Sequence, residues 1–206
     1  DLRPCRRNES QAMAAVRDAD VVLVRESPVS RRVIEAMGHC LAIIRYGIGV
    51  DNIDQAAASE RRIMVANVPD YGTDEVSSHA VALTLAVSRR LWLHDREVRE
   101  GRWSTGVLQP MFRLRGRTLG LVGFGRIARM TLEKLAGFGF ARVLVYDPRA
   151  ELPAGLERMD METLCAESDV ISLHAPLNDT TRHLINAQRI ALMRSTAIVV
   201  NTARGG

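Results

Sequence analysis

The sequence predicts an α/β protein with two lobes, each built on a parallel sheet. Short apolar runs alternate with helix-like stretches, and this alternation stops and then restarts along the 206 residues. A glycine-rich turn follows the first strand of the second series. Strands separated by helices pair in parallel through right-handed crossovers, so each series predicts one layered α/β structure.

The first lobe is predicted from brief, branched apolar runs that are bounded by polar or glycine residues. Val21–Val24, Leu41–Ile44 and Ile63–Val65 have the length and composition of buried strands. Between them, Ser30–Met37 and Ile53–Glu60 have helical character. These elements predict a small α/β layer structure over about the first 70 residues.

A longer helix is predicted to begin at Thr73 and to run to about Arg90. Thr73 can cap it, and Asp74 and Glu75 place negative charge at the positive end of the helix dipole. The apolar residues recur at three- and four-residue spacing, as in a helix with one buried face. His79 lies on that face, so we predict a buried histidine rather than a catalytic one.

Residues 92–114 contain charged residues, glycines and a proline without strand periodicity, which is typical of a connector between lobes. We therefore place a domain boundary between residues 1–92 and residues 93–206. From Thr118 the alternation restarts with stronger strands. The predicted strands are Leu119–Val122, Val143–Tyr146, Val170–Leu173 and Ala197–Val200, and the helices between them are Ile127–Ala136, Met161–Ala166 and Asn186–Met193.

The composition favours an ordinary globular protein over several other classes. The hydrophobic content is 47% and the charged content 25%. The net charge is +4, but the arginines are scattered and Lys134 is the only lysine, which disfavours nucleic-acid binding as the primary role. Three cysteines without a C-x-x-C pair disfavour a disulfide framework or a zinc site, and favour a reducing, cytoplasmic location. No apolar run approaches the roughly 20 residues that span a bilayer.

The glycine-rich turn has the spacing of a dinucleotide-binding loop. Gly123 permits a tight turn out of the strand, Gly125 lets the backbone approach a pyrophosphate, and Ala128 lets the helix pack close to the sheet. The helix that begins near Arg126 presents free N–H groups and its positive dipole end to phosphates. A lone G-x-G-x-x-A is weak evidence, but here it joins a strand to a helix, as the motif requires.

Asp147 supplies the second half of this motif. It ends the next predicted strand, 22 residues after Gly125, which is close to the spacing of the ribose-binding acid. A carboxylate there accepts hydrogen bonds from both ribose hydroxyls and repels a 2′-phosphate. Asp147 therefore favours NAD over NADP, although Arg149 would soften that preference.

Several further motifs extend along the chain. They are Arg45–Asp54, Asn67–Pro69, the Gly123 loop, Tyr146–Pro148, His174–Pro176 and Asn201–Gly206. Together these motifs resemble the D-isomer-specific 2-hydroxyacid dehydrogenase family. Two short segments, Arg89–His94 and Tyr146–Pro148, are similar to the branch that contains the C-terminal-binding-protein corepressors.

The resemblance implies a flavodoxin-like substrate lobe and a Rossmann NAD-binding lobe, with the active site in the cleft. Residues 1–92 would be the N-terminal part of the substrate domain, and residues 93–206 an NAD-binding domain that is incomplete at its C-terminus. The resemblance assigns cofactor contacts to Gly123, Phe124, Gly125, Arg126, Ile127, Asp147, His174, Ala175, Pro176, Thr181, Thr202 and Ala203.

Arg204 matches the catalytic arginine in the family's Thr-Ala-Arg-Gly motif. Its planar guanidinium can grip a substrate carboxylate and polarise the 2-oxo oxygen. The resemblance assigns substrate binding to Arg45, Ile48 and Gly49. Gly47 and Gly49 could let consecutive N–H groups converge on a carboxylate, but an ordinary glycine turn explains the spacing equally well.

The family's catalytic Glu and His follow the Arg-Gly-Gly segment by tens of residues, and this sequence ends at Gly206. We therefore expect a longer protein, and we assign neither His174 nor His183 to the vacant role. His174 begins the loop that, by resemblance, lies along the nicotinamide side of the cofactor.

The leading functional hypothesis is an oxidoreductase that moves hydride between NAD and C2 of a small 2-hydroxy or 2-oxo acid. The alternatives are an NAD-sensing, corepressor-like scaffold whose output is protein binding, and a D-3-phosphoglycerate dehydrogenase. We also expect a homodimer, because residues 91–114 resemble the family's segment that packs across a twofold axis. Trp92 and Trp103 are predicted to pack between lobes or subunits.

Overall fold

The computed structural model describes residues 8–103 and 111–205. The chain divides into two compact units, Asp1–Gly72 and Thr73–Gly206. Each unit contains a parallel sheet, so the predicted α/β class is confirmed. The units divide before the long helix at Thr73, whereas the sequence placed the domain boundary after residue 92.

The first unit is a three-stranded sheet with the order β1-β2-β3. Its core is formed by the inward side chains of the strands together with residues from three helices, including Ile34, Ile43 and Ala58, which are fully buried. Asn8, Ser30 and Asp54 cap these helices through side-chain oxygens. The elements are α1 (Glu9–Val16), β1 (Val21–Val24), α2 (Arg31–Glu35), β2 (Ala42–Arg45), α3 (Gln55–Glu60) and β3 (Met64–Asn67).

The second unit is a five-stranded parallel sheet with the order β6-β5-β4-β7-β8. The central strand β4 is buried at all five residues, as expected for a parallel strand covered on both faces. Two helices precede the sheet, α4 (Thr73–Ser88) and α5 (Leu91–Arg99). The other elements are β4 (Thr118–Val122), α6 (Arg126–Leu135), a 3₁₀ turn (Ala136–Phe138), β5 (Arg142–Tyr146), β6 (Glu157–Arg158), α7 (Met161–Glu167), β7 (Val170–Leu173), α8 (Ala187–Leu192) and β8 (Ile198–Asn201).

Helix α4 packs against α6 and β8 and therefore belongs to the second unit. Lys134, near the end of α6, stabilises the contact between α6 and α4. Its Nζ donates to the carbonyl and to a carboxylate oxygen of Asp74, at 2.8 Å each, and to Ser78 Oγ at 2.7 Å. A salt bridge and two hydrogen bonds thus join the first turns of α4 to the C-terminal end of α6.

Two expectations for α4 are wrong. Thr73 is a helical residue, and its buried Oγ1 has no hydrogen-bond partner among the described residues, so it does not cap the helix. His79 is exposed rather than buried, because the buried side of the helix runs through Ser77, Ala80 and Thr84.

No helix within the described ranges combines the length and the apolar character needed to cross a membrane.

Candidate functional site

The register of the second sheet brings four predicted segments to one edge. Val122 is paired with Tyr146 on one side and with Leu173 on the other, and Leu173 is paired with Asn201. These four residues end their strands at the same level. The segments that follow them, which begin at Gly123, Asp147, His174 and Thr202, therefore all start at the carboxyl edge, where ligands bind in open α/β sheets.

Gly123 forms the tight turn out of β4. Its φ is +83°, in the region that glycine adopts readily and other residues rarely do. A Cβ at this position would lie 2.9 Å from Ala175 N and 3.0 Å from the carbonyl carbon of His174. Gly123 is therefore required both by the backbone conformation and by close contact with the segment after β7.

Gly125 opens the site at the start of α6. Apart from Gly125 and its two chain neighbours, no atom of the described residues lies within 4 Å of the position that a Cβ on Gly125 would occupy, so its backbone faces open space. Arg126 and Ile127 form the first turn of α6, whose N–H groups point beyond the helix terminus. Ala128 is fully buried against the sheet. The turn thus leaves an approachable helix N-terminus of the kind that binds phosphate.

Asp147 is a half-buried carboxylate held by backbone donors. Its Oδ2 accepts from Phe124 N at 2.8 Å, and its Oδ1 accepts from Arg149 N and Ala150 N at 2.9 Å each. Burial acts to raise the pKa of Asp147, but these three N–H donors, with Arg158 nearby, outweigh it and hold the pKa below its ordinary value. The carboxylate is fixed in place and ionised.

Phe124 contributes to this arrangement only through its backbone. Its side chain is buried in the core of the second unit, with the guanidinium carbon of Arg129 4.3 Å from the ring centre. The predicted contact of Phe124 with a cofactor is thereby limited to its main chain.

His174 is a half-buried, neutral imidazole at the end of β7. Its Nε2 lies 2.9 Å from Oγ of the fully buried Ser172. Burial lowers the pKa of His174 to about 4. The side chain therefore carries no charge at neutral pH, and the hydroxyl of Ser172 holds its ring.

The loop after His174 is closed by its own side chains. Thr181 Oγ1 donates to the carbonyl of Pro176 and accepts from Asn178 N at 2.9 Å. Asn178 Oδ1 accepts from the N–H groups of Thr180 and Thr181. Together with Ala175, which contacts the Gly123 turn, these bonds give the loop a defined shape before any ligand binds.

Arg204 lies just beyond β8 and is exposed. Its Nη1 donates to the carbonyl of Ala203 at 2.9 Å. Asn201, the last residue of β8, accepts from Ala203 N at 2.9 Å and donates to the carbonyl of Arg204 at 2.8 Å. Thr202 Oγ1 is buried, and no described residue offers it a hydrogen-bond partner. That orphaned hydroxyl is suited to a ligand group at this edge.

The Arg45–Gly49 loop lies in the first unit and is described separately. The guanidinium of Arg45 occupies the place of a Cβ on Gly47, so a side chain there would displace this flexible group. Neither Gly47 nor Gly49 has positive φ, and Gly47 N donates to the carbonyl of Arg45. The Gly47 N–H therefore bonds within the loop, and the assignment of Arg45, Ile48 and Gly49 to the substrate stays a prediction. The carbonyl of Ile48 accepts from Asn67 Nδ2 at 2.7 Å, which ties the loop to the end of β3.

Sequence reasoning missed three side chains that shape the site: Ser172, Asn178 and Asn201. All three have weak local signals. Asn178 precedes a Thr-Thr pair and Asn201 ends a strand, positions where asparagine often bonds to nearby backbone. Ser172 lies in an apolar strand, and its partner is recognisable only once both residues are seen at the strand end.

These features define a dinucleotide-binding domain of the Rossmann class: a glycine turn, an open helix N-terminus and a strand-end carboxylate at one sheet edge. Residues 81–206 match the family model described as "D-isomer specific 2-hydroxyacid dehydrogenase, NAD binding domain". The chain belongs to this family, and its second unit carries the NAD-binding domain.

Individual relatives extend the match across the chain. A hydroxypyruvate reductase of Thermotoga maritima is 40% identical over 200 residues, covering 96% of this chain and 65% of the relative. A D-3-phosphoglycerate dehydrogenase of Methanocaldococcus jannaschii is 37% identical, covering 96% and 38%. The solved D-lactate dehydrogenase of Aquifex aeolicus, complexed with NAD and lactic acid, aligns with a TM-score of 0.88 at 29% identity, covering 94% and 59%. The chain thus spans less than two thirds of the length of these relatives.

Proposed function

We propose that this chain acts as part of an oxidoreductase that transfers hydride between NAD and C2 of a small 2-hydroxy or 2-oxo acid. The observation that carries the proposal is the strand register, which sets Arg204 at the same sheet edge as the Gly123 turn and Asp147. When bound, NAD supplies a nicotinamide that gives or takes the hydride.

The residues at the sheet edge fit this cofactor. The open space at Gly125 and the first turn of α6, with Arg126 and Ile127, suit the pyrophosphate. The ionised Asp147 uses three of about four acceptor positions on backbone N–H groups, which leaves capacity for a ribose hydroxyl. The nicotinamide side is assigned to His174, Ala175, Pro176, Thr181, Thr202 and Ala203.

Arg204 is the proposed catalytic residue. A guanidinium offers parallel N–H donors that match a carboxylate, and its fixed charge stabilises negative charge developing on a 2-oxo oxygen. In the first unit, Arg45, Ile48 and Gly49 are proposed to contact the substrate acid, supported by the buried Nε of Arg45, which has no hydrogen-bond partner among the described residues.

The full-length protein tests this proposal in two measurements. NADH binding is followed by fluorescence, and NADH oxidation at 340 nm is followed with a panel of acids that includes glyoxylate, hydroxypyruvate, pyruvate and phosphohydroxypyruvate. Arg204→Lys keeps the charge but loses the two-pronged donor, so we expect kcat/KM to fall about 100-fold, near 3 kcal/mol, with NADH affinity retained. Arg99→Lys is the matched control, since Arg99 pairs with Asp95 on the surface of α5. Tight NADH binding without turnover of any acid would overturn the enzyme proposal.

The second candidate is an NAD-sensing scaffold of the C-terminal-binding-protein branch. The similarity of Arg89–His94 and Tyr146–Pro148 to that branch favours it. It predicts the outcome just named, NADH binding with no turnover. A phosphoglycerate dehydrogenase is distinguished in the same panel by selectivity for phosphohydroxypyruvate.

We also propose a homodimer in a reducing, cytoplasmic location. Helix α5 exposes Leu91, Trp92 and Val98, and Trp103, which follows the helix, is 88% exposed. Such exposed apolar side chains are typical of an interaction surface. The described cysteines Cys40 and Cys165 are buried free thiols, as expected where disulfides do not form. The scattered arginines favour neither nucleic acid nor a membrane as partner. Sedimentation of the full-length protein as a monomer would overturn the dimer.

A further inference from the structure

Asn201 holds the turn that carries Arg204 through both ends of its side-chain amide. Its Oδ1 accepts from Ala203 N at 2.9 Å, and its Nδ2 donates to the carbonyl of Arg204 at 2.8 Å. The side chain thus spans the three-residue turn after β8. Asn201 itself is held by the sheet, because it pairs with Leu173 at the end of β7.

We propose that Asn201 is a positioning residue for Arg204. It fixes the backbone on both sides of the Ala203–Arg204 peptide, so the guanidinium leaves the sheet edge from one defined point. The inference rests on the proposed catalytic role of Arg204. It assigns Asn201 no contact with substrate or cofactor.

Asparagine is the residue type that this turn requires. Its amide provides an acceptor and a donor on one short, planar group, and the turn uses both. Aspartate keeps the acceptor for Ala203 N but has no donor for the carbonyl of Arg204. Alanine provides neither.

Because Asn201 is exposed, its hydrogen bonds position the turn rather than stabilise the core. The residue is exposed, so its polar atoms need no internal partner to offset burial. Thr202, which follows, has a buried hydroxyl without a partner among the described residues, so its side chain does not hold the turn. The Asn201 amide bonds the backbone on both sides of the Ala203–Arg204 peptide, and Arg204 Nη1 itself bonds the carbonyl of Ala203 within the same turn.

The test uses the full-length protein with the 2-oxo acid that the panel identifies. Asn201→Ala is expected to lower kcat/KM for the acid about tenfold, with a higher KM and a lower kcat, while the Kd for NADH stays within twofold. Asn201→Asp keeps one of the two bonds, so its kcat/KM is expected to lie between those of Asn201→Ala and the parent. Asn186→Ala is the matched control: it removes a similar side-chain bond, from Asn186 Oδ1 to Arg189 N, at the start of α8, and should leave kcat/KM unchanged.

A double-mutant cycle with Arg204→Lys gives the readout that a merely structural role would not move. If Asn201 acts through Arg204, adding Asn201→Ala to the Arg204→Lys variant should lower kcat/KM by less than a further threefold. A tenfold loss in both backgrounds, or an equal loss of NADH affinity, would overturn the positioning role. So would parent-like kinetics of Asn201→Ala. Absence of turnover in the parent protein would instead overturn the proposed function, and the inference with it.

Discussion

Asp147 shows how one carboxylate can organise a turn and also select a ligand. Its two oxygens tie the start of the phosphate turn, at Phe124, to the chain after β5, at Arg149 and Ala150. These bonds also keep it ionised, as the lowered pKa indicates. A charged acceptor at this position favours ribose hydroxyls and opposes a 2′-phosphate.

Replacing Asp147 should therefore change cofactor choice. For Asp147→Ala we expect the Kd for NADH to rise at least tenfold, about 1.4 kcal/mol, and discrimination against NADPH to shrink. Fluorescence titration with both nucleotides measures this change. Asp160→Ala, which removes an N-cap aspartate from α7, is the control and should leave both affinities unchanged. An unaltered NADH-to-NADPH ratio for Asp147→Ala would count against the assignment.

The neutral state of His174 predicts a pH dependence of stability. Its pKa is about 4 in the folded chain, below the ordinary 6.5, so between these values the unfolded chain binds a proton that the folded chain does not. The contribution of His174 to stability is thus fully present above pH 6.5 and is lost as the pH falls toward 4. The loss amounts to roughly 3 kcal/mol.

His174→Gln should remove this part of the pH dependence. Between pH 7.5 and pH 4.5, we expect the unfolding free energy of the parent to fall by about 2–3 kcal/mol more than that of the variant. Urea unfolding at several pH values measures it. Curves that stay parallel for the two proteins over this range would contradict a neutral, half-buried imidazole.

At the scale of elements, the β4–turn–α6 unit separates two roles of glycine. Gly123 has positive φ and abuts the chain at His174 and Ala175, whereas Gly125 has ordinary φ and faces open space. The first glycine is thus required by the fold, and the second is free to serve a ligand.

Matched alanine substitutions should reveal this difference. Gly123→Ala should lower the unfolding free energy by about 1–3 kcal/mol, because the conformation is strained and the Cβ meets backbone atoms. Gly125→Ala should leave stability within about 0.5 kcal/mol and weaken NADH binding, since its methyl group would occupy the space left for phosphate. Denaturant unfolding and NADH titration check both. Equal stability losses for the two variants would refute the distinction.

The limits of sequence reasoning are also clearest at this scale. Strands β1 and β7 have the predicted bounds, but of the two only β7 is mostly buried. The predicted burial of β1 is wrong, since Val21 and Leu23 are 47% and 60% exposed in this edge strand. Helix α2 ends at Glu35 rather than Met37, where the guanidinium of Arg61 binds the carbonyls of Ile34, Glu35 and Met37. That cap comes from 24–27 residues away, and local periodicity carries no sign of it. Helix α1 and the two-residue strand β6 were not predicted.

In the candidate site too, features that are local in sequence could be predicted, and features that depend on tertiary contacts could not. The turn at Gly123 and the strand-end position of Asp147 follow from spacing, because the βαβ unit is local in sequence. The bond between Asn201 and Arg204 and the neutral state of His174 depend on side-chain direction and burial. The exposure of His79 was mispredicted because its helical face was judged from spacing without knowing which neighbours cover it.

At the scale of the whole molecule, the chain consists of two compact units that meet in sequence between Gly72 and Thr73. Helix α4 joins the second unit because Lys134 and the packing against α6 and β8 hold it there. Alternation of strands and helices does not show with which sheet a connecting helix packs. The assignment of residues 1–92 and 93–206 as substrate and NAD-binding domains stays a prediction.

We expect the two units to give two thermal unfolding transitions that respond differently to NADH. NADH at 100 times its Kd should add about 2.7 kcal/mol to the unit that binds it, raising that transition by several degrees. The transition of the first unit should not move. Differential scanning calorimetry with and without NADH measures both. A single transition that shifts as a whole would show that the units unfold together.

The bonds of Lys134 to Asp74 and Ser78 have a practical consequence for proteolysis. Since Lys134 is the only lysine in these 206 residues, a lysine-specific protease has one peptide bond to cut, inside α6. Cleavage requires that this turn of helix unwind and release the side chain from α4. The rate of cleavage after Lys134 therefore reports how often the α4–α6 contact opens, and it measures local unfolding of the cofactor domain.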